Sequence, residues 1–219
     1  MHPLPRRPSL GLRLLSYLWP LSYRVPSPLS GALELNLING RLRLDSAEAN
    51  YSYGALQRVL EEALHRVWRP TWHKVLVLGL GGGCVVESLR RKFGFQGPVE
   101  AVEADPVCVR IAFEVYQVAQ RYAPLTVHTA RAEAFILQTT DRWPCIVMDV
   151  FVDRQVPPAC LDPEFIRALY KCLLPGGALI FNTILPADTQ RAEAALKAFG
   201  IAYWKERIRG NEVVFVRGK

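Results

Sequence analysis

A doubly wound, mostly parallel α/β sheet is the fold this 219-residue sequence predicts. Three observations carry it. Short apolar runs alternate with helical patterns from Lys74 onward, the first run breaks into a glycine cluster at Gly79, and the second ends in an acid, Glu103. Strands covered on both faces of a parallel sheet read as continuous apolar runs, and their crossovers need helices.

Three units are expected along the chain: an N-terminal docking segment over 1–31, a small β-hairpin plus helix over 32–72, and a nucleotide-binding domain over 73–219. The first nine residues are rich in proline and arginine and predict an irregular start. Leu10–Trp19 predicts a short helix whose leucines, Tyr17 and Trp19 need cover, from the rest of the chain or from a second subunit. Arg13, Pro20 and Arg24 interrupt the apolar stretch Leu10–Val25, which falls short of the roughly twenty apolar residues of a membrane span. No membrane partner and a cytoplasmic location are therefore expected.

Ala32–Leu44 alternates apolar and polar residues on either side of Asn39-Gly40, the strongest local signal for a hairpin with a type I′ turn. From Gly54 the pattern turns helical, with Leu56, Val59, Leu60 and Leu64 on one face. The regular series then reads strand 75–78, helix 84–93, strand 99–103, helix 106–119, strand 125–129, helix 131–138, strand 145–149, helix 162–173 and strand 178–182. Ile201–Ile208 and Glu212–Arg217, around Arg209-Gly210-Asn211, predict a terminal antiparallel hairpin.

Bulk properties narrow the function classes. The net charge of +7 comes from 27 Lys and Arg against 20 acids, spread without a dense basic run, so nucleic acid is not indicated as a partner. Five scattered cysteines, with no C-x-x-C pair, read as reduced core residues. His65, His73 and His128 stand apart and show no ligand spacing, so no metal site is expected.

The glycine cluster carries the chemistry. Gly79, Gly81 and Gly83 follow a strand and open a helix, where positive φ and close backbone approach exclude a Cβ and free N–H groups meet acceptors. Glu103, twenty-four residues beyond Gly79, is placed to take both ribose hydroxyls of a nucleotide. The spacing G-x-G-x-G departs from G-x-G-x-x-G because Cys84 stands sixth, which fits an S-adenosylmethionine-type nucleotide better than NAD. Cys84 itself reads as a small packing residue.

With these residues in place the chain resembles the spermidine synthase (aminopropyltransferase) branch of the class I S-adenosylmethionine-dependent methyltransferase superfamily. NGRLRLD, EANYSYG, VLVLGLGGG, VEADP, CIVMDVF and LLPGGALIFN carry the resemblance, in order, from about Leu33 to Asn182. It implies a methyltransferase-like Rossmann fold, a homodimer, and S-adenosylmethionine or its decarboxylated form as co-substrate. It also implies transfer of an aminopropyl or methyl group to a small acceptor such as a polyamine, with Asp149 and Asp153 as the acids receiving the proton of the attacking amine and Tyr51 lining the amine path. Gly79, Gly81, Gly83, Glu103 and Arg131 are the expected cofactor-binding residues. Several positions depart from the family pattern: GLGGGC lacks its aspartate, Ala130-Arg131 replaces Gly-Asp, three residues instead of two separate Asp149 from Asp153, and Arg43 and Tyr53 stand where amide or acid groups are usual. Arg43 and Arg131 add positive charge that suits intact S-adenosylmethionine, while the lost acids also allow a catalytically degenerate binding or assembly protein on the same fold.

Overall fold

The computed structural model describes residues 4–5, 7–46, 50–52 (backbone only), 54–152 and 154–219. A short helix α1 (Leu10–Leu15) precedes a four-stranded antiparallel sheet in chain order, β1 (Leu21–Ser27), β2 (Gly31–Ile38), β3 (Arg41–Ser46) and β4 (Asn50–Ser52). β2 and β3 form the expected hairpin. Ile38 pairs with Arg41, and Asn39 and Gly40 have φ of 49° and 72°, the two left-handed residues a type I′ turn requires. β1 is a strand the sequence reading does not anticipate. It pairs with β2 from Leu21↔Leu37 to Ser27↔Gly31, and it tolerates Pro26 because it is an edge strand.

Helix α1 meets the hairpin through its C-terminal end. The buried Ser16 accepts the Gly40 N–H at Oγ (2.8 Å) and the Asn39 N–H at its carbonyl oxygen (3.1 Å). The apolar side chains beside it stay outside, with Leu14 62%, Leu18 85% and Trp19 71% exposed. Among the described residues, the chain therefore does not supply the cover this segment needs.

Helix α2 (Ala55–Val67) buries the predicted stripe Leu56, Val59, Leu60 and Leu64. The main sheet follows as β5 (Val75–Leu78), α3 (Cys84–Arg91), β6 (Val99–Glu103), α4 (Pro106–Arg110), α5 (Val118–Arg121), β7 (Leu125–Thr129), α6 (Ala132–Gln138), β8 (Trp143–Met148), α7 (Pro163–Lys171), β9 (Leu173–Thr183), α8 (Pro186–Ala198), β10 (Tyr203–Ile208) and β11 (Asn211–Arg217). Its strand order is β10-β11-β9-β8-β5-β6-β7, parallel from β9 to β7, with β11 antiparallel to β9 and β10 antiparallel to β11. Alternate residues of β5 serve two cores: Val75 and Val77 pack with α2 and α3, Leu76 and Leu78 with α6, α7 and α8. α8 is absent from the expected series because alanines, Ala192 and Ala195, make much of its buried face where a leucine stripe would have announced it.

One expected helix is broken. In place of a continuous run over 106–119, α4 passes into a π-helical turn at Ile111–Val115, Gln117 takes a left-handed φ of 57°, and α5 starts afresh. The break brings Val118 against the glycine turn, where a Cβ on Gly83 would lie 2.5 Å from Val118 Cγ1. Periodicity cannot announce such a turn, since a π segment inserts one residue into an otherwise helical pattern.

Candidate functional site

The sheet winds outward from β5 in both directions, so a crevice opens beyond the C-terminal ends of β5 and β8, where folds of this kind bind ligands. A cavity lies there. Gly79 and Gly81 line it from the turn after β5, Glu103 to Asp105 from the end of β6, Ala130 to Glu133 from the start of α6, and Asp149 to Val152 from the end of β8. Leu29 and Ser30 of the β1–β2 turn and Leu56 of α2 form its roof.

Glycine is required at the floor. Gly79 has φ of 91°, and a Cβ there would meet the Asp149 carbonyl oxygen at 2.2 Å. Gly81 and Gly83, with φ of 51° and 86°, carry the chain through the rest of the turn. Gly81 and Glu103 come together directly: the Gly81 N–H donates to Glu103 Oε2 and the Asp105 N–H to Oε1, each at 3.0 Å. Burial holds the Glu103 carboxyl above its ordinary range, with these two N–H groups working in the opposite direction.

Asp149 stands across the crevice. Burial raises its pKa to about 6, the hydrogen bond from Asn182 opposes the rise, and the charge of Glu103 adds to it. Asn182, fully buried at the end of β9, donates from Nδ2 to Asp149 Oδ1 (2.8 Å) and accepts at Oδ1 from Asn211 Nδ2 (3.0 Å). The carboxylate is thereby fixed through one oxygen. A carboxyl titrating near pH 6 is a base at neutral pH that still takes up a proton readily.

The roof is hooked to the floor. Ser27 Oγ donates to Asp105 Oδ2 and accepts the N–H groups of Leu29 (3.2 Å) and Ser30 (2.9 Å). Asp105 Oδ1 also caps α4 through the Val107 N–H at 2.8 Å. Neither Asp105 nor Asn182 is assigned a role by sequence reasoning. A polar residue closing an apolar strand, as in ALIFN, is the signal that could have found Asn182, because a buried amide needs partners.

The structure thus brings Gly79, Gly81, Glu103, Arg131 and Asp149 to one cavity, with Gly83 just behind it at the start of α3. Arg131 is an exposed rim residue at the N-cap of α6, 3.5 Å from Glu133 Oε1. Tyr51 supplies backbone to β4, whereas its side chain and the whole of Asp153 lie outside the described residues. Arg43 is not at the cavity: its Nε donates to Asp45 Oδ2 at 2.7 Å within the small sheet. Cys84 is buried, as its packing role requires, and all five cysteines are buried thiols outside any disulfide. Among the described residues no cluster of three His, Cys, Asp or Glu side chains can hold a metal ion, and no helix is long and apolar enough to cross a membrane.

No family model matches the chain. The polyamine aminopropyltransferase of Vibrio vulnificus (strain CMCP6) is 28% identical over 132 residues, 59% of this chain and 44% of that protein. The chain therefore matches less than half the length of this relative. Among solved structures, human methyltransferase-like protein 13 in complex with SAH superposes with a TM-score of 0.65 at 23% identity, covering 76% of this chain and 83% of that one. A probable spermidine synthase from Corynebacterium glutamicum ATCC 13032 superposes with a TM-score of 0.62 at 17% identity, covering 91% and 77%. The fold is the class I methyltransferase-like Rossmann fold. The wider coverage of the spermidine synthase agrees with the presence of the small N-terminal sheet.

Proposed function

We propose that the protein is a spermidine-synthase-like transferase that uses S-adenosylmethionine or its decarboxylated form to place a methyl or aminopropyl group on a small amine-bearing acceptor. The observation that carries this reading is the single cavity that joins the Gly79–Gly83 turn and Glu103 to Asp149. The residues present fit the nucleotide: the turn leaves no room for a Cβ at Gly79, and Glu103 presents acceptor oxygens beside it. When bound, the co-substrate supplies a carbon activated by a sulfonium, whose C–S bond breaks with its electron pair going to sulfur as the acceptor nitrogen forms its bond to that carbon.

The protein's own groups do the rest. Glu103 holds the ribose hydroxyls, and Asp149, held by Asn182, orients the incoming ammonium and receives the proton that the nitrogen loses. Val150, Phe151 and Val152 give the acceptor side an apolar wall that limits water.

Calorimetric titration with S-adenosylmethionine, its decarboxylated form, methylthioadenosine and NAD tests the reading, and turnover with each sulfonium separates methyl from aminopropyl transfer. Adenosyl ligands should bind, with NAD excluded. Glu103→Gln should weaken them roughly tenfold or more, because a charge-assisted hydrogen bond contributes about 1.5–3 kcal/mol and 1.4 kcal/mol is a factor of ten. Binding of NAD in preference, or of no nucleotide, would overturn the assignment.

The buried free thiols favour a reducing compartment such as the cytoplasm, and the exposed face at Leu10, Leu14, Leu18 and Trp19 favours pairing with a second copy of the chain. Sedimentation should then show a dimer at micromolar concentration that Leu14→Asp with Leu18→Asp converts to monomer. A wild-type monomer would refute the pairing.

A further inference from the structure

The terminal hairpin reaches the candidate base. β10 and β11 turn through Arg209 and Gly210, with φ of 48° and 97°, and Ile208 pairs with Asn211 to close the turn. Arg209 and Gly210 carry the left-handed backbone, so the turn itself does not require an asparagine at 211. The hairpin is fixed over the end of β9. Glu212 pairs with Thr183, the Thr183 hydroxyl donates to the Glu212 carbonyl oxygen at 3.1 Å, and Arg209 Nε donates to Glu62 of α2. From there the half-buried Asn211 donates from Nδ2 to Asn182 Oδ1 at 3.0 Å.

Asn182 is fully buried and stands between two polar groups. Its Nδ2 donates to Asp149 Oδ1 at 2.8 Å while its Oδ1 takes the Asn211 N–H, so the side chains form a relay of donors pointing at the carboxylate. An amide turned by 180° fills the same space with oxygen and nitrogen exchanged, so its partners decide which atom faces which. Without the Asn211 donor, the Asn182 oxygen would be a buried acceptor that has lost its partner. The amide would tilt or turn to relieve it, at the expense of the bond to Asp149. A linked chain also strengthens each of its bonds.

We propose that Asn211 is a positioning residue for Asp149: its amide holds Asn182 in the orientation that presents an N–H to the carboxylate, so the terminal hairpin fixes the base. Asn211 does not line the cavity, and it acts through Asn182. That the carboxylate serves as a base rests on the transferase reading above; the relay that holds it does not.

Other charged groups around Asp149 stay constant when Asn211 is changed. Burial raises the Asp149 pKa to about 6, Glu103 at the end of β6 adds to the rise, and the bond from Asn182 opposes it. Asp105, Arg131 and Glu133 line the same cavity, Asp188 of α8 is engaged by the Val156 N–H at 3.0 Å, and Asp153 lies outside the described residues. A difference between variants at position 211 therefore reads the relay.

The test follows the Asp149 carboxyl carbon by NMR across a pH titration of the whole chain without ligand, with Asp149→Asn assigning the signal. Asn211→Leu is close to asparagine in shape and has no donor. It should move the midpoint up from about 6 by about 0.3 or more, since a weakened N–H bond stabilises the carboxylate less. Asn211→Val, well suited to a strand, takes its place should the leucine variant fail to fold, with the same rise expected. In an Asn182→Leu background the Asn211 change should leave the midpoint where that background puts it, because the link is gone. A midpoint that does not rise in the Asn211 variants, or that rises equally in both backgrounds, overturns the proposal. The acidic limb of kcat/KM should move with the midpoint. A midpoint that moves in protein showing no turnover upholds the role of Asn211 and counts against the transferase reading alone.

Discussion

Gly79→Ala should lower the melting temperature by roughly 10 °C and leave little protein able to bind an adenosyl ligand. Two costs combine at this position. The backbone sits at φ of 91°, outside what L side chains adopt readily, and the new Cβ would lie 2.2 Å from the carbonyl oxygen and 2.8 Å from the carbonyl carbon of Asp149. Both sides of that contact are backbone at the centre of the sheet. The Gly79 N–H donates to the Val102 carbonyl (2.9 Å) and the Asp149 N–H to the Leu78 carbonyl (2.8 Å), so neither can retreat without breaking the β5–β6 or β5–β8 ladder. Backbone strain of this kind costs about 1–3 kcal/mol and the overlap adds to it, and each kcal/mol moves the transition about 2–4 °C in a domain of this size. Gly94→Ala is the control: its φ of 64° is also positive, but nothing lies within 4 Å of the new Cβ. It should cost about 1–2 kcal/mol. Thermal denaturation of the pair decides the matter, and a Gly79→Ala melting temperature within a few degrees of Gly94→Ala would show that the turn is not pinned against β8.

The contrast between these glycines marks what the sequence could reveal. Apolar runs and turn residues are local signals, so β5, β6, the Asn39-Gly40 hairpin and the terminal hairpin could all be read along the chain. Glu103 was legible because its place at the end of the second strand follows from the same local pattern. Interactions made across long separations were not. Ser27 meets Asp105 78 residues later, and this bond hangs the β1–β2 turn over the cavity. β1 itself was hidden by Pro26 and by a run of three exposed residues, Ser22 to Arg24, which blurs the alternation expected of a strand. The Asn211–Asn182–Asp149 chain was equally unreadable, because it needs β9 and β11 side by side before the amides can meet. Arg43 shows the opposite error: it was read toward the site from its match to a family position, and it is held by Asp45 inside the small sheet.

Asp149→Asn should abolish turnover and make the protein more stable at the same time. The amide retains an oxygen to accept from Asn182, so the local geometry survives, while the proton acceptor is lost, which lowers the rate by about 10²- to 10⁴-fold. Adenosyl-ligand affinity should change little, since Glu103 and the glycine turn do not use this carboxylate. The stability gain follows from its titration. Burial lifts its pKa from 3.8 to about 6, so the folded protein holds this proton more tightly than the unfolded chain does. As pH rises from 3.8 to 6 the unfolded chain releases the proton first, stability falls across that window, and by pH 7 the charged carboxylate costs the fold about 1–3 kcal/mol after allowance for its partly open face. Asn removes that cost. Denaturant unfolding should therefore show wild type losing stability between pH 4 and 6 relative to the variant and the variant ahead at pH 7. In the wild type, kcat/KM should rise with pH through about 6 as the base is freed in the free enzyme, a limb the variant lacks. A variant that is less stable at pH 7 yet still turns over would remove Asp149 from the chemistry and leave it a structural acid at the end of β8.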